Sequence, residues 1–313
     1  MTQAGDDREP LQGAIANALD LIRRNGSVMD GSVTTTAPLG SLLDQCRALH
    51  RASTEDRADP IRLVHHFACS GGTIISKCLA AMPNAVLLSE IDPLSTIPMG
   101  YPNRFCPTDL IEQLHRTRHP CPDRLVIDMF LASLDVLYQN TIRSGGYLVL
   151  REHSHSRFCE NLDWTDRPTV REMIADRFAV RSAITIRHPM ASYTSLQANN
   201  WVRFTPSTLE EYARRYTAFL DRHAGCPTLR YEAFVADPEA AMKMLCGLLD
   251  LPYAPGSPTL APTISMSGDS GRSGATIAPR PNREISEKLG EEMKASPTYR
   301  ALCDRLDYDP DFR

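Results

Sequence analysis

No pair of cysteines in this 313-residue chain is spaced as CxxC, although nine cysteines are present. They are scattered and odd in number, which argues against a disulfide framework and a cysteine-built zinc site and fits a reducing cytoplasm. Tryptophan is nearly missing, at two residues, and no stripe of basic and aromatic residues occurs. With a net charge of −4, the chain lacks the electrostatic footprint of a nucleic-acid binder, although a local basic cleft is compatible with that total. The first ten residues, MTQAGDDREP, are acidic where a secretory signal is basic, and no long apolar run follows them. No stretch reads as long and apolar enough to span a bilayer. The expectation is a cytoplasmic protein. No internal repeat is present.

What is present is an ordinary globular composition, 42% hydrophobic and 23% charged, in a chain long enough for one large domain plus an extension. Residues 1–60 read as a helical N-terminal extension. Leu11, Ile15, Leu19 and Ile22 recur at helical spacing and stop at Gly26. A Gly/Ser/Thr-rich linker precedes a second helical pattern at Leu39, Leu42, Leu43, Cys46 and Leu49.

The main domain, 61–313, opens on Arg62–Ser76, RLVHHFACSGGTIIS. An apolar strand leads into the small residues Ala68 to Thr73, and a helical pattern with Ile74, Ile75, Cys78, Leu79 and Met82 follows. Strand, glycine turn and helix is the build of a phosphate cradle: backbone N–H groups point inward and the helix adds its positive end. Ser70 and Thr73 offer hydroxyl donors.

Strands and helices then alternate. Strands are predicted at Ala85–Ser89 (ending at Glu90), Tyr147–Arg151, Ser182–Arg187 and Thr228–Tyr231, and helices at Thr108–Arg118 and Asp123–Asn140. Ser207-Thr208-Leu209-Glu210 reads as a capping box, and Asp237-Pro238-Glu239 as a capped helix start. Short links between alternating elements imply an α/β fold, a parallel β-sheet flanked by helices on both faces. Ligands of such folds sit beyond the C-terminal strand ends. Ser70–Thr73, Glu90, Arg151–His155 and Arg187 all fall there. Arg187, at a strand end, with Ser195 eight residues on, suits a phosphate gripped from two sides.

The glycine loop, Arg187-His188-Pro189 with Ser195, the segment Leu229–Tyr253 (LRYEAFVADPEAAMKMLCGLLDLPY) and the late Gly268–Gly274 loop occur in one order. Together they resemble the sulfotransferases that use 3′-phosphoadenosine-5′-phosphosulfate, over roughly Arg62 to Pro281. The resemblance implies their P-loop NTPase-like fold and that donor, with no metal. It also implies that Cys69, Ser70, Gly71, Gly72, Thr73 and Ile74 hold the 5′-phosphosulfate. Arg187 and Ser195 would bind the 3′-phosphate, joined by Arg272, Ser273 and Gly274. One departure stands out. Many relatives carry Lys or Arg just before the small residues of the loop, and here that place holds Cys69 or Ser70. Lys77, Arg151, or one of His65 and His66 would supply the positive charge instead.

Transfer of a sulfuryl group needs positioning, charge stabilisation and a base for the acceptor's proton. His153 resembles the strand-end histidine base of cytosolic-type members, and Glu90 the glutamate of heparan-sulfate-type members; the two stay open at this point. Glu152 and His155 would support the site from behind. Two other functions are weighed against this. A P-loop kinase wants Gly-Lys-[Ser/Thr], which the loop lacks, and Leu125-Val126-Ile127-Asp128 lies within a helical pattern rather than at a strand end. A non-catalytic nucleotide-binding scaffold is supported by the missing loop cation. The acceptor, a small molecule, carbohydrate or lipid, is expected between 91 and 146 and around Trp201–Pro206, with Asn199, Asn200, Trp201, Arg203 and Phe204. Homo-oligomer formation stays open.

Overall fold

In the computed structural model, the described residues are 59–95, 109–115, 117–118, 121–161, 165–266 and 277–312. The N-terminal helical patterns and Arg272, Ser273 and Gly274 lie outside them. At the centre runs β1 (Ile61–His66), buried at every position. Its neighbours are β3 (Tyr147–Glu152) and β4 (Val180–Ile186), with β2 (Ala85–Ile91) and β5 (Thr228–Arg230) at the edges. The order is β2-β3-β1-β4-β5 and every pairing is parallel. Parallel strands need crossovers that cover both faces, which explains the near-continuous apolar runs.

Alternation along the strands sends side chains to two separate cores. Val64, Val149 and Ala183 pack with α1 (Gly72–Ala80), α8 (Tyr231–Ala236) and α9 (Pro238–Leu248). Leu63, Leu148 and Leu150 pack on the opposite face with α3 (Asp123–Arg143) and α5 (Val170–Ile174). Beyond β4, Ile184 and Ile186 join α6 (Pro189–Ala198), α7 (Leu209–Arg222), α11 (Glu287–Ala295) and α12 (Pro297–Leu306). The short helices α2 (Leu110–His115), α4 (Ser154–Phe158) and α10 (Ser257–Leu260) complete the described elements, with a 3-10 turn at Ala261–Thr263.

Several boundaries differ from expectation. The fifth strand stops at Arg230, and Tyr231 opens a helix. The capping box at Ser207–Glu210 is not formed: Thr208 is the cap and accepts from Glu211 N, while Glu210 binds Ser296 and the Thr298 amide. A full capping box occurs instead at Thr169 and Glu172. Asp237 caps α9 as expected, accepting from Ala240 N at 3.0 Å. The expectation that no segment is long and apolar enough to cross a bilayer also fails, since α3 meets that measure by length and composition. In the fold α3 buries Val126, Leu131 and Leu134 toward β1, β3 and α5. Asp128, at the end of the apolar run on that helix, pairs with Arg124 one turn earlier.

Arg62 is fully buried at the start of β1, so every donor needs a partner. Its guanidinium binds Asp59 at 2.5 and 3.1 Å and the carbonyls of Leu249 and Asp250 at 3.0 and 2.7 Å. The entry of β1 is thereby clamped to the end of α9.

Candidate functional site

The turn from β1 into α1 is tight. Ser70 N and Ser70 Oγ both donate to the carbonyl of Phe67, at 3.1 and 2.7 Å. Cys69 and Gly71 take left-handed backbone conformations, with φ of 62° and 90°. At Gly71 a side chain is excluded twice, by φ and by the Tyr231 ring, which a Cβ would meet at 2.3 Å. Gly71 caps α1 and, having no side chain, contributes no cap to the helix's first amides. The N-terminus of this nine-residue helix therefore offers N–H groups and a positive dipole end toward the strand ends. Ser70 differs from expectation. It is fully buried, and its hydroxyl turns into the protein rather than toward a ligand.

Arg151, at the end of β3, stands on one side of this loop. It donates to Thr73 Oγ1 at 3.3 Å and Ser89 Oγ at 3.0 Å, and pairs with Glu90 Oε1 at 2.7 Å. His153 Nε2 lies 3.2 Å from the other oxygen of the same carboxylate. Glu90 reaches them because β2 and β3 slip register between Leu88 and Ile91, and Glu90 itself has a φ of 59°. Such a bulge re-aims a side chain. The two residues weighed as alternative bases are thus in contact. Burial raises the Glu90 carboxyl, and Arg151 opposes the shift. Burial, then His155, Arg151 and Arg167, lower His153 to about 3, so its imidazole is neutral at neutral pH.

Arg187 stands on the other side of the loop. It donates to the Cys69 carbonyl at 3.1 Å and to Ser195 Oγ at 3.4 Å, and its guanidinium lies 4.6 Å from the Tyr231 ring centre. Tyr231 had no role on sequence grounds, where it read as the last residue of the fifth strand. Glu232 next to it accepts from His188 N at 2.9 Å and from Tyr308 Oη at 2.7 Å, fixing the start of α6.

The remaining candidates disperse. Lys77 lies in the last turn of α1, and Ile74 packs against the core beside it. His66 points beneath the loop; burial, then Arg151 and His65, hold its pKa well below the ordinary value, so it carries no positive charge for a donor. His65 and Glu152 point to the opposite face, where Glu152 Oε2 contacts His65 Nδ1 and, at 3.2 Å, His223 Nε2. Glu152 Oε1 accepts from Val170 N at 2.9 Å. This trio alone groups side chains of metal-ligand type among the described residues, and its members already meet as hydrogen-bond partners. It ties β1, β3, α5 and α7 together. Glu152 therefore braces the sheet rather than the site.

On the side where the sequence places the acceptor, His155 lies 6.2 Å from both the His153 and the Trp201 ring centres. Asp92 pairs with Arg167 at 2.5 Å and also binds Ser156, whose hydroxyl contacts the His153 carbonyl. Phe204, expected in the acceptor pocket, is instead a core residue under Arg215.

No family model matches the sequence, and no curated protein matches it. Among solved structures, the chain is similar to the sulfotransferase domain from the curacin biosynthetic pathway. Identity is 16% over 81% of this chain and 99% of that one, with a TM-score of 0.49. It is also similar to a sulfotransferase from Alicyclobacillus acidocaldarius, at 15% identity over 81% and 98% of the two chains and a TM-score of 0.41. A third similar structure is the sulfotransferase domain from the Synechococcus PCC 7002 olefin synthase, at 17% identity over 81% and 97% and a TM-score of 0.42.

Proposed function

We propose that this chain is a sulfotransferase that moves the sulfuryl group of 3′-phosphoadenosine-5′-phosphosulfate to a hydroxyl or amine of a small-molecule, carbohydrate or lipid acceptor. One observation carries the reading. Two guanidiniums flank the same glycine loop from opposite sides, Arg151 through Thr73 and Arg187 through the Cys69 carbonyl. A donor with two separate anionic groups suits that spacing of charge, and the sequence resemblance points to the same donor.

When bound, the donor supplies the activated sulfuryl group and a bisphosphate leaving group. The amides at the start of α1 and Arg151 would hold its 5′ end, with Arg151 in the role of the missing loop cation. Arg187 and Ser195 would hold the 3′-phosphate. His153 takes the acceptor's proton, and Glu90 orients the ring and stabilises the imidazolium that forms. Trp201 and His155 line the side from which an acceptor reaches His153.

Calorimetry of adenosine 3′,5′-bisphosphate against Mg·ATP tests this. Tight, metal-independent binding of the bisphosphate is expected, and preference for Mg·ATP would replace the reading with a kinase. Arg187→Ala should weaken the bisphosphate far more than adenosine 5′-monophosphate; equal losses would remove Arg187 from the 3′-phosphate site.

A further inference from the structure

The floor of the glycine loop is a single histidine. His66, the last residue of β1, is 6% exposed, and Ser70, Ser76 and Thr185 around it are buried as well. His66 Nδ1 lies 2.5 Å from Thr185 Oγ1, Thr185 Oγ1 lies 3.2 Å from Ser70 Oγ, and Ser70 Oγ donates to the Phe67 carbonyl at 2.7 Å. Counting protons gives this chain a direction. The Ser70 hydroxyl has one hydrogen, spent on a carbonyl that can only accept, so Ser70 Oγ accepts from Thr185. Thr185 has then spent its own hydrogen and accepts from His66 Nδ1–H. The far nitrogen, Nε2, is left as the acceptor for Ser76 Oγ at 3.4 Å. The imidazole spans from β4 to the first turns of α1.

Gly72 rests on this ring. A Cβ at Gly72 would lie 2.6 Å from His66 Cγ and 2.7 Å from Cδ2, both within a ring pinned at its two nitrogens. Glycine is needed here for close approach rather than for backbone conformation. The loop amides therefore sit at a height set by the His66 ring, and the turn before them is set by the hydrogen-bond chain through Ser70.

We propose that His66 is a positioning residue for the donor loop, its Nδ1–H heading a one-way hydrogen-bond chain and its ring face supporting Gly72. This rests on the sulfuryl-transfer reading for the ligand named, but the contact itself is read independently. Two variants separate shape from hydrogen bonding: His66→Asn keeps a nitrogen donor near Nδ1, and His66→Leu keeps bulk without it. His66→Leu should lose about 100-fold in affinity for adenosine 3′,5′-bisphosphate, as displaced binding groups do, and His66→Asn, which keeps the donor but not the ring, should lose clearly less. In thermal melts, Gly72→Ala should lower Tm sharply in the wild type and much less in a His66→Ala background, because the ring it strikes is gone.

Equal affinity of the Leu and Asn variants, or additive Tm losses, would overturn the role of His66 while leaving the function standing. Wild-type protein that binds no bisphosphate would overturn the function and the donor role together.

Discussion

His153 is buried beside Glu90, and that burial gives it a pH dependence unlike that of a free histidine. An imidazole with its pKa lowered to about 3 is already deprotonated through the neutral range, so activity falls only where acid reaches that low value. The kcat profile should be flat between pH 6 and 8; an inflection near 6.5 would show that another group titrates. His153→Ala should lower kcat by about 10²- to 10⁴-fold, the worth of a general base, with bisphosphate affinity retained. Retained turnover would transfer the role to Glu90. These residues were legible because each stands at a strand end, where ligands of parallel sheets bind. Their contact was not legible. It depends on a register slip and a positive φ at Glu90, and neither leaves a mark in a strand pattern. The place of Arg151 beside the glycine loop needed the structure for a similar reason. Arg151 and Thr73 are 78 residues apart, and only parallel pairing of β1 with β3 brings them together.

At the scale of elements, the strand patterns matched all five strands to within two residues at either end, and the central β1 and β3 were clearest, since a strand buried on both faces has little freedom in composition. Helix starts were less secure. Ser207–Glu210 carries every sign of a capping box, yet Glu210 binds Ser296 and Thr298 of a distant helix start. A tertiary partner outbid the local one, and sequence spacing cannot report it. Thr208→Ala should therefore cost about 1 kcal/mol as a lost cap, measured by denaturant unfolding. Glu210→Ala should loosen the α7–α12 contact without unwinding the start of α7. A comparable loss of α7 amide protection in both variants would mean that Glu210 does act as a cap. The clamp around Arg62 belongs here too. Arg62→Met should destabilise the fold by about 3–5 kcal/mol by removing the guanidinium that pairs with the buried Asp59 carboxylate.

For the molecule as a whole, acid is the expected weakness. Burial, then His223, lower His65 to about 4 against the partial opposition of Glu152; burial, then Arg203, lower His155 to about 4. A histidine whose folded pKa lies below its unfolded value binds fewer protons when folded, so stability drains away as pH falls from about 6.5 toward 4. Glu152 adds a separate loss in stronger acid: burial alone would raise it, but His65 and His223 hold it well below its ordinary value of 4.5, so its share is lost only as pH falls below that value and the carboxylate protonates. Glu90 and Asp92, raised by burial against Arg151 and Arg167 respectively, act in the opposite sense. Chemical denaturation at pH 7 and pH 5 should show a lower midpoint at pH 5, and an unchanged midpoint would mean that the buried histidines do not stay neutral. The strand order has a consequence for the protein's synthesis. The central strand is β1, the first described strand to leave the ribosome, and its partners arrive much later; His66 meets Thr185 across 119 residues. No strand of the sheet is finished by a local hairpin, so loop closure must precede every stabilising pair. Until β4 has been translated, the most buried segment of the sheet waits with one edge open. A nascent chain arrested before residue 186 should be open to proteases and chaperones, and one arrested beyond β4 should begin to resist them.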